Sequence, residues 1–140
     1  MQEGWYDDEY LILFDRGEIA EVSDRYQISQ MLHGYEIVGL RGWDDFIVRD
    51  TPGHTYSVPA VVPQLRYLSP FTLPNDRTVL TADHRFAGKI KWYIKPILFG
   101  GSVDLGENAT WVTHEQHAEL VRWWCERYRR LKAQPSDVRR

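Results

Sequence analysis

Asp44 and Asp45 stand side by side in the stretch GWDDFIVRD, residues 42–50. Two carboxylates do acid–base chemistry together when they converge, because crowding like charges drives their proton affinities apart. The residues that follow, Phe46 to Val48, read as a strand. Successive strand residues point to opposite faces, so these carboxylates should diverge. Asp44 falls with Phe46 and Val48, whereas Asp45 falls with Trp43 and Ile47. The pattern predicts hydrated acids at the entry of a strand rather than a shared-proton pair.

His114 and His117 form HEQH near the C-terminal end. Three-residue spacing puts both rings on one helix face, but zinc needs at least three protein ligands at defined spacing. There is no HExxH and no cysteine pair, so the expectation is exposed histidines beside a helix cap and no metal. Cys125, the single cysteine, sits in an apolar stripe. It reads as a small buried hydrophobe, since nucleophilic use requires a lowered pKa and a base within reach. One cysteine also excludes an internal disulfide framework. Gly100-Gly101 lacks a following GK[ST], and GxGxxG is absent, so no phosphate cradle and no cofactor are expected. No catalytic residue is assigned.

These residues must be positioned by elements that the sequence partly reveals. Residues 9–14, EYLILF, form an apolar run closed by Asp15-Arg16-Gly17, which predicts a buried strand and a turn. Ser23 is a candidate cap for a short helix through Gln30. Tyr35–Leu40, Asp45–Val48 and Thr55–Val58 predict a three-stranded meander. Thr51-Pro52-Gly53-His54 joins the last two strands, with proline and glycine suited to a type II turn. Residues 61–83, carrying Pro63, Pro70 and Pro74, read as a loop that wraps the sheet. Lys89–Phe99 reads as a strand interrupted at Pro96, and Ala109–Val112 as a brief one.

Thr113 and Gln116 fit a capping box. Ala118, Val121, Trp124, Cys125, Tyr128 and Leu131 then recur at helical spacing, predicting a long helix with one buried stripe. Acids early and bases late in that segment complement its macrodipole. The expected fold is α+β, a mostly antiparallel or mixed sheet with the C-terminal helix packed on it. Residues 1–133 form a single domain in this reading, and residues 134–140 a flexible tail.

The net charge of −3 is unevenly spread. Residues 1–50 hold twelve acids against four bases, residues 51–121 six of each, and residues 122–140 two acids against seven bases. Such asymmetry suggests a charged partner face. Trp124 and Tyr128 belong to the apolar stripe rather than to an exposed stacking platform, and the overall charge is negative. Direct nucleic-acid binding is therefore not expected. No apolar run approaches the ~20 residues of a membrane span, and the acidic opening MQEGWYDDEY lacks the order of a signal peptide. The expectation is a soluble, cytoplasmic protein without membrane contact.

The order of features from Tyr10 to Pro59 resembles the SUKH superfamily, which includes bacterial immunity proteins and fungal cell-wall-synthesis regulators. It begins with YLILF and the step Glu18-Ile19, then passes through Asp24-Arg25-Tyr26-Gln27-Ile28 and Gly34-Tyr35-Glu36-Ile37-Val38-Gly39. Gly42, the acids behind it, a strand ending at Asp50, the Pro52-Gly53 turn and Val58-Pro59 complete the match. The resemblance implies an α+β protein that binds and neutralises a polymorphic toxin, such as those delivered by contact-dependent or type VI secretion systems. It brings no catalytic residues. It gives the acidic N-terminal third a use against a basic nuclease toxin, with Asp7, Asp8, Glu9, Asp44 and Asp45 as the partner-binding residues. The alternatives are a small enzyme using Asp44, Asp45, His54 or His84 from separate loops, and a regulatory binding module without a toxin.

Overall fold

β1 (Gln2–Tyr6) and β2 (Glu9–Leu13) open the chain as an antiparallel hairpin, paired from Gln2↔Leu13 to Tyr6↔Glu9. The computed structural model describes residues 1–102 and 108–133. β1 has no counterpart in the sequence pattern, because QEGWY neither alternates nor clusters apolar residues. Pairing makes it a strand: β2 lies on one side, and on the other the Trp5 and Thr81 amides each donate to the other residue's carbonyl, at 2.8 and 2.9 Å. Gly4 permits this approach, since a Cβ there would lie 2.7 Å from the Thr81 carbonyl.

Six strands form the main sheet in the order β1-β2-β3-β4-β5-β6, all antiparallel. The others are β3 (Glu36–Arg41), β4 (Asp45–Arg49), β5 (Thr55–Pro59) and the two-residue β6 (Ser69–Pro70). The expected meander is thus β3 to β5. Its register shifts between Ile37 and Gly39. Gly39 sits where a Cβ would meet the Ile12 carbonyl oxygen at 2.6 Å, so no larger residue fits between β2 and β4.

One face of this sheet carries α1 (Ile19–Tyr26). Ile19, Val22 and Tyr26 recur at helical spacing and are buried. The helix does not start at Ser23. That hydroxyl instead accepts the Ile37 amide at 2.8 Å and ties mid-helix to β3. Gln27, in the left-handed region at φ 55°, ends the helix before the expected Gln30. Leu68, Phe71, Leu73 and Leu80, from the expected wrapping loop, pack on the core.

A second, two-stranded sheet pairs β7 (Ile90–Tyr93) with β8 (Ala109–Val112). The expected strand to Phe99 stops at Tyr93. Pro96 supplies no amide for a ladder, and Ile97–Phe99 winds into a 3-10 turn with Ile97 and Leu98 exposed. Behind β8 the capping box forms as read: the Thr113 amide donates to Gln116 Oε1 at 3.0 Å, and the Gln116 amide to Thr113 Oγ1 at 3.1 Å.

α2 (His114–Ala133) follows. Its most buried residues are His117, Ala118, Val121 and Cys125, while Trp124 and Tyr128 are half-buried. Leu131, assigned to the stripe by spacing, is 46% exposed, because the helix has run past the core at that point. The expected tail at 134–140 lies outside the described residues. Among those described, no helix is long and apolar enough to cross a membrane. The architecture is α+β, with the C-terminal helix on the core.

Ile47 and Leu131 test this boundary. Ile47 is fully buried in β4, so Ile47→Ala should cost about 2–5 kcal/mol in denaturant unfolding. Leu131→Ala should stay within about 0.5 kcal/mol of wild type. Equal losses at both sites would contradict the packing described.

Candidate functional site

The five acids read as a partner surface gather at one end of the main sheet. Asp7 and Asp8 form the β1–β2 turn, and both are exposed. Asp7 lies in the left-handed region at φ 56°, which aspartate tolerates better than most residues. Glu9 begins β2 beside the end of β3, where Arg41 Nε and Nη2 donate to its Oε1 at 2.8 and 2.6 Å. The Arg41 guanidinium also lies 4.6 Å over the Phe71 ring. Arg41 pairs in register with Asp45, so both turns lie at the same end.

Asp44 and Asp45 take different partners. Asp44 Oδ2 accepts from Lys91 Nζ at 3.3 Å, and Asp45 Oδ2 accepts from the Ser57 hydroxyl at 3.0 Å. They do not form a shared-proton pair. Their hydration is less than the strand-entry reading implies. Asp44 keeps 45% of its side-chain exposure, whereas Lys91 keeps only 15%. Desolvation raises the pKa of both carboxyls. The Lys91 ammonium opposes this at Asp44, and the Ser57 hydrogen bond followed by the Arg41 charge opposes it at Asp45.

An aromatic cluster backs the acids, and no local pattern announces it. Trp5, Tyr10, Trp43, Phe86 and Trp111 come from five separate segments. Trp43 is central: it stacks on Tyr10 at 4.9 Å and 16°, and meets Trp5, Phe86 and Trp111 edge-on. Gly42 and Trp43 both have positive φ, at 59° and 63°. That conformation costs an ordinary L-residue roughly 1–2 kcal/mol. The ring contacts offset this at a position where tryptophan would otherwise be disfavoured. Trp5 Nε1 donates to Asp83 Oδ2 at 3.0 Å, fixing the loop that carries Phe86. Trp111 stays 42% exposed at the border of the cluster.

The histidines separate into unlike environments. His54 lies in the β4–β5 turn, at the end of β4 opposite Asp45. A strand of this length holds the two apart by roughly 15 Å. His84 is exposed in the loop beside Asp83. His117 is not the exposed residue anticipated: it is 1% exposed, and its Nδ1 lies 2.6 Å from the Tyr26 hydroxyl. Burial lowers its pKa to about 3, with the nearby His114 charge adding to the effect, and burial also lowers that of His114. Spacing placed His117 beside a cap, but the helix meets β7 and α1 there within its first turn. Among the described residues, no group of three or more metal-ligating side chains is assembled.

Cys125 is buried, its Sγ 3.8 Å from the Ala60 carbonyl oxygen. Desolvation pushes its thiol up to about 12, so it remains protonated and packs as a small apolar group. Compared with known proteins, the chain matches no family model, no curated sequence and no solved structure.

His117 gives the protein a defined acid response. Its folded pKa lies below the ordinary 6.5, so the unfolded chain binds the proton more readily. The associated stability is fully present above about pH 6.5 and is lost as pH falls toward 3. His114 contributes in the same direction, whereas the raised carboxyls of Asp44 and Asp45 act in the opposite one, so the His117 share is read as the difference between wild type and variant. Melting temperature should fall from pH 6.5 to 5 in wild type, and His117→Gln should flatten that slope while lowering stability at neutral pH. An unchanged slope in the variant would remove His117 as the source.

Proposed function

We propose that this chain is a binding protein of the immunity type, which neutralises a protein toxin through the acidic end of its main sheet. The observation that carries this reading is the convergence of Asp7, Asp8 and Glu9 with Asp44 and Asp45 from a separate turn. The exposed carboxylates of Asp7, Asp8 and Asp44, with Trp111 partly exposed nearby, suit a basic partner. The charges steer association, and a large aromatic supplies contact area at small entropic cost. A nuclease with a basic active face is the partner class that this chemistry favours, and a cytoplasmic site of action accompanies the proposal.

Within the surface the acids have unequal roles. Glu9 and Asp44 are already paired with Arg41 and Lys91, so removing either leaves an uncompensated cation. Asp7 and Asp8 have no such partner among the described residues and project from a turn. They are the clean probes of steering. The enzyme alternative requires acids and histidines to meet, and the opposite placement of His54 argues against its combination with Asp44 or Asp45.

The test is capture from the native cell followed by binding to the partner recovered, with the product of any adjacent toxin-bearing reading frame as the first candidate. Asp7→Asn with Asp8→Asn should leave the melting temperature within a degree or two. The same change should slow association several-fold at low salt, flatten its salt dependence, and reduce protection of cells expressing the toxin. Capture of a non-toxin protein would favour a regulatory module. Unchanged association by the double variant would move the interface elsewhere.

A further inference from the structure

Behind the acidic end lies a cavity of about 170 Å³, which meets the proposed partner surface at Asp44 and Asp45. Its walls are largely aromatic and aliphatic, with Trp43, Trp92, Tyr93 and Val61 among them, and Asp44, Asp45, Lys91 and His117 supply charged and polar groups. Asp44, Ile97 and Leu98 are exposed, so the cavity reaches solvent on that side. An apolar cavity of about 150 Å³ suffices for a benzene ring.

The two carboxylates on the walls are already engaged, Asp44 by Lys91 and Asp45 by Ser57. The Tyr26 hydroxyl is buried and has no partner among the described residues except His117 Nδ1. If it did not donate there, its proton would be left unpaired at a cost of about 1–3 kcal/mol. The phenol therefore donates to Nδ1, and the neutral imidazole carries its own proton on Nε2. That Nε2 has no hydrogen-bond partner among the described residues, and the ring lines the cavity. Trp43 Nε1, on another wall, is also buried without a partner. Lys91 Nζ bonds Asp44 and the Tyr93 hydroxyl, and it lies 4.8 Å from the Tyr93 ring centroid. Among the described residues the His117 Nε2–H thus has no acceptor, and its ring lies beside a volume that holds one further ring.

We infer that this cavity is a binding site for a single-ring aromatic molecule bearing an acceptor oxygen, with the ring between the aromatic walls and the oxygen taking the His117 Nε2–H. The site shares Asp44 and Asp45 with the proposed partner surface, but the rest of its lining lies outside that surface, and the proposed ligand contacts involve neither carboxylate. Its occupant would be selected by the hydrogen bond: a site with an unpaired donor favours a ligand carrying the acceptor over an equally shaped one without it.

Benzamide and toluene are the probes, titrated into the intact protein with ring ¹⁵N resonances of the histidines followed by NMR. Benzamide should bind with saturation, shift the His117 Nε2 resonance, and raise the melting temperature. Toluene should bind at least about tenfold more weakly, the margin expected when a buried donor stays unpaired. Val61→Phe, which fills the cavity without altering its polar groups, should abolish benzamide binding. Equal affinity for both probes would show a merely apolar void and overturn the assignment. So would a benzamide effect that leaves the His117 resonance unmoved, or no saturable binding at all. Should Val61→Phe fail to fold, the comparison of the two probes on wild type still decides.

Discussion

The hydrogen bond between Tyr26 and His117 ties together the two helices of this molecule and, through their neighbours, both of its sheets. Tyr26 ends α1 and packs edge-on against Phe46 of β4 at 4.9 Å. His117 lies in the first turn of α2 and meets Trp92 of β7 edge-on at 5.6 Å. One buried polar pair therefore fixes both helices and both sheets in a single arrangement. Neither group is satisfied without the other, so displacement of α2 carries the penalty of two buried, unpaired polar atoms. The capping box sets the rotational phase of α2, and so aims His117 at Tyr26.

The legible parts of the sequence are those whose causes are local. Alternation and turn chemistry located β3, β4 and β5, and Thr113 with Gln116 located the start of α2. β1 was illegible because its cause lies in Thr81 and β2, distant along the chain. Ser23 misled for a related reason: a serine suited to capping is equally suited to accepting an amide from a neighbouring strand. The five acids were readable as residue types, and Asp44 and Asp45 do take different partners, although Asp44 lies in the turn before β4 rather than in the strand whose alternation predicted it. Their partial desolvation was not readable, since Lys91 and Ser57 come from elements whose docking no local pattern specifies. Nor was the burial of His117, where identity suggested solvent and tertiary contact decided otherwise.

Charge is redistributed by folding in a way that composition conceals. The acid-rich N-terminal third neutralises much of itself through Glu9–Arg41, Glu36–Arg49 and Glu21–Arg25, while the terminal ammonium meets Asp15 and Glu18. Among the described residues, none of these acids forms an ion pair with a base of α2. Arg129 instead bonds Gln30 and Glu126, and Lys132 lies over the Tyr128 ring. Asp7 and Asp8 are two of the acids left without an ion pair among the described residues, and they stand together on one exposed turn.

The two flanks of the main sheet restrict how any protein can attach. A free outer strand is a template on which another chain can lay its own backbone, extending the sheet. Here β1 is already bonded through Trp5 to Thr81, and the far flank is a two-residue strand ending in Pro70, which has no amide to offer. Annexation by a foreign strand is thus blocked in the middle of one border and curtailed at the other. Recognition at this sheet must read side chains, which favours selective partners over generic backbone pairing and protects the chain from stacking upon itself.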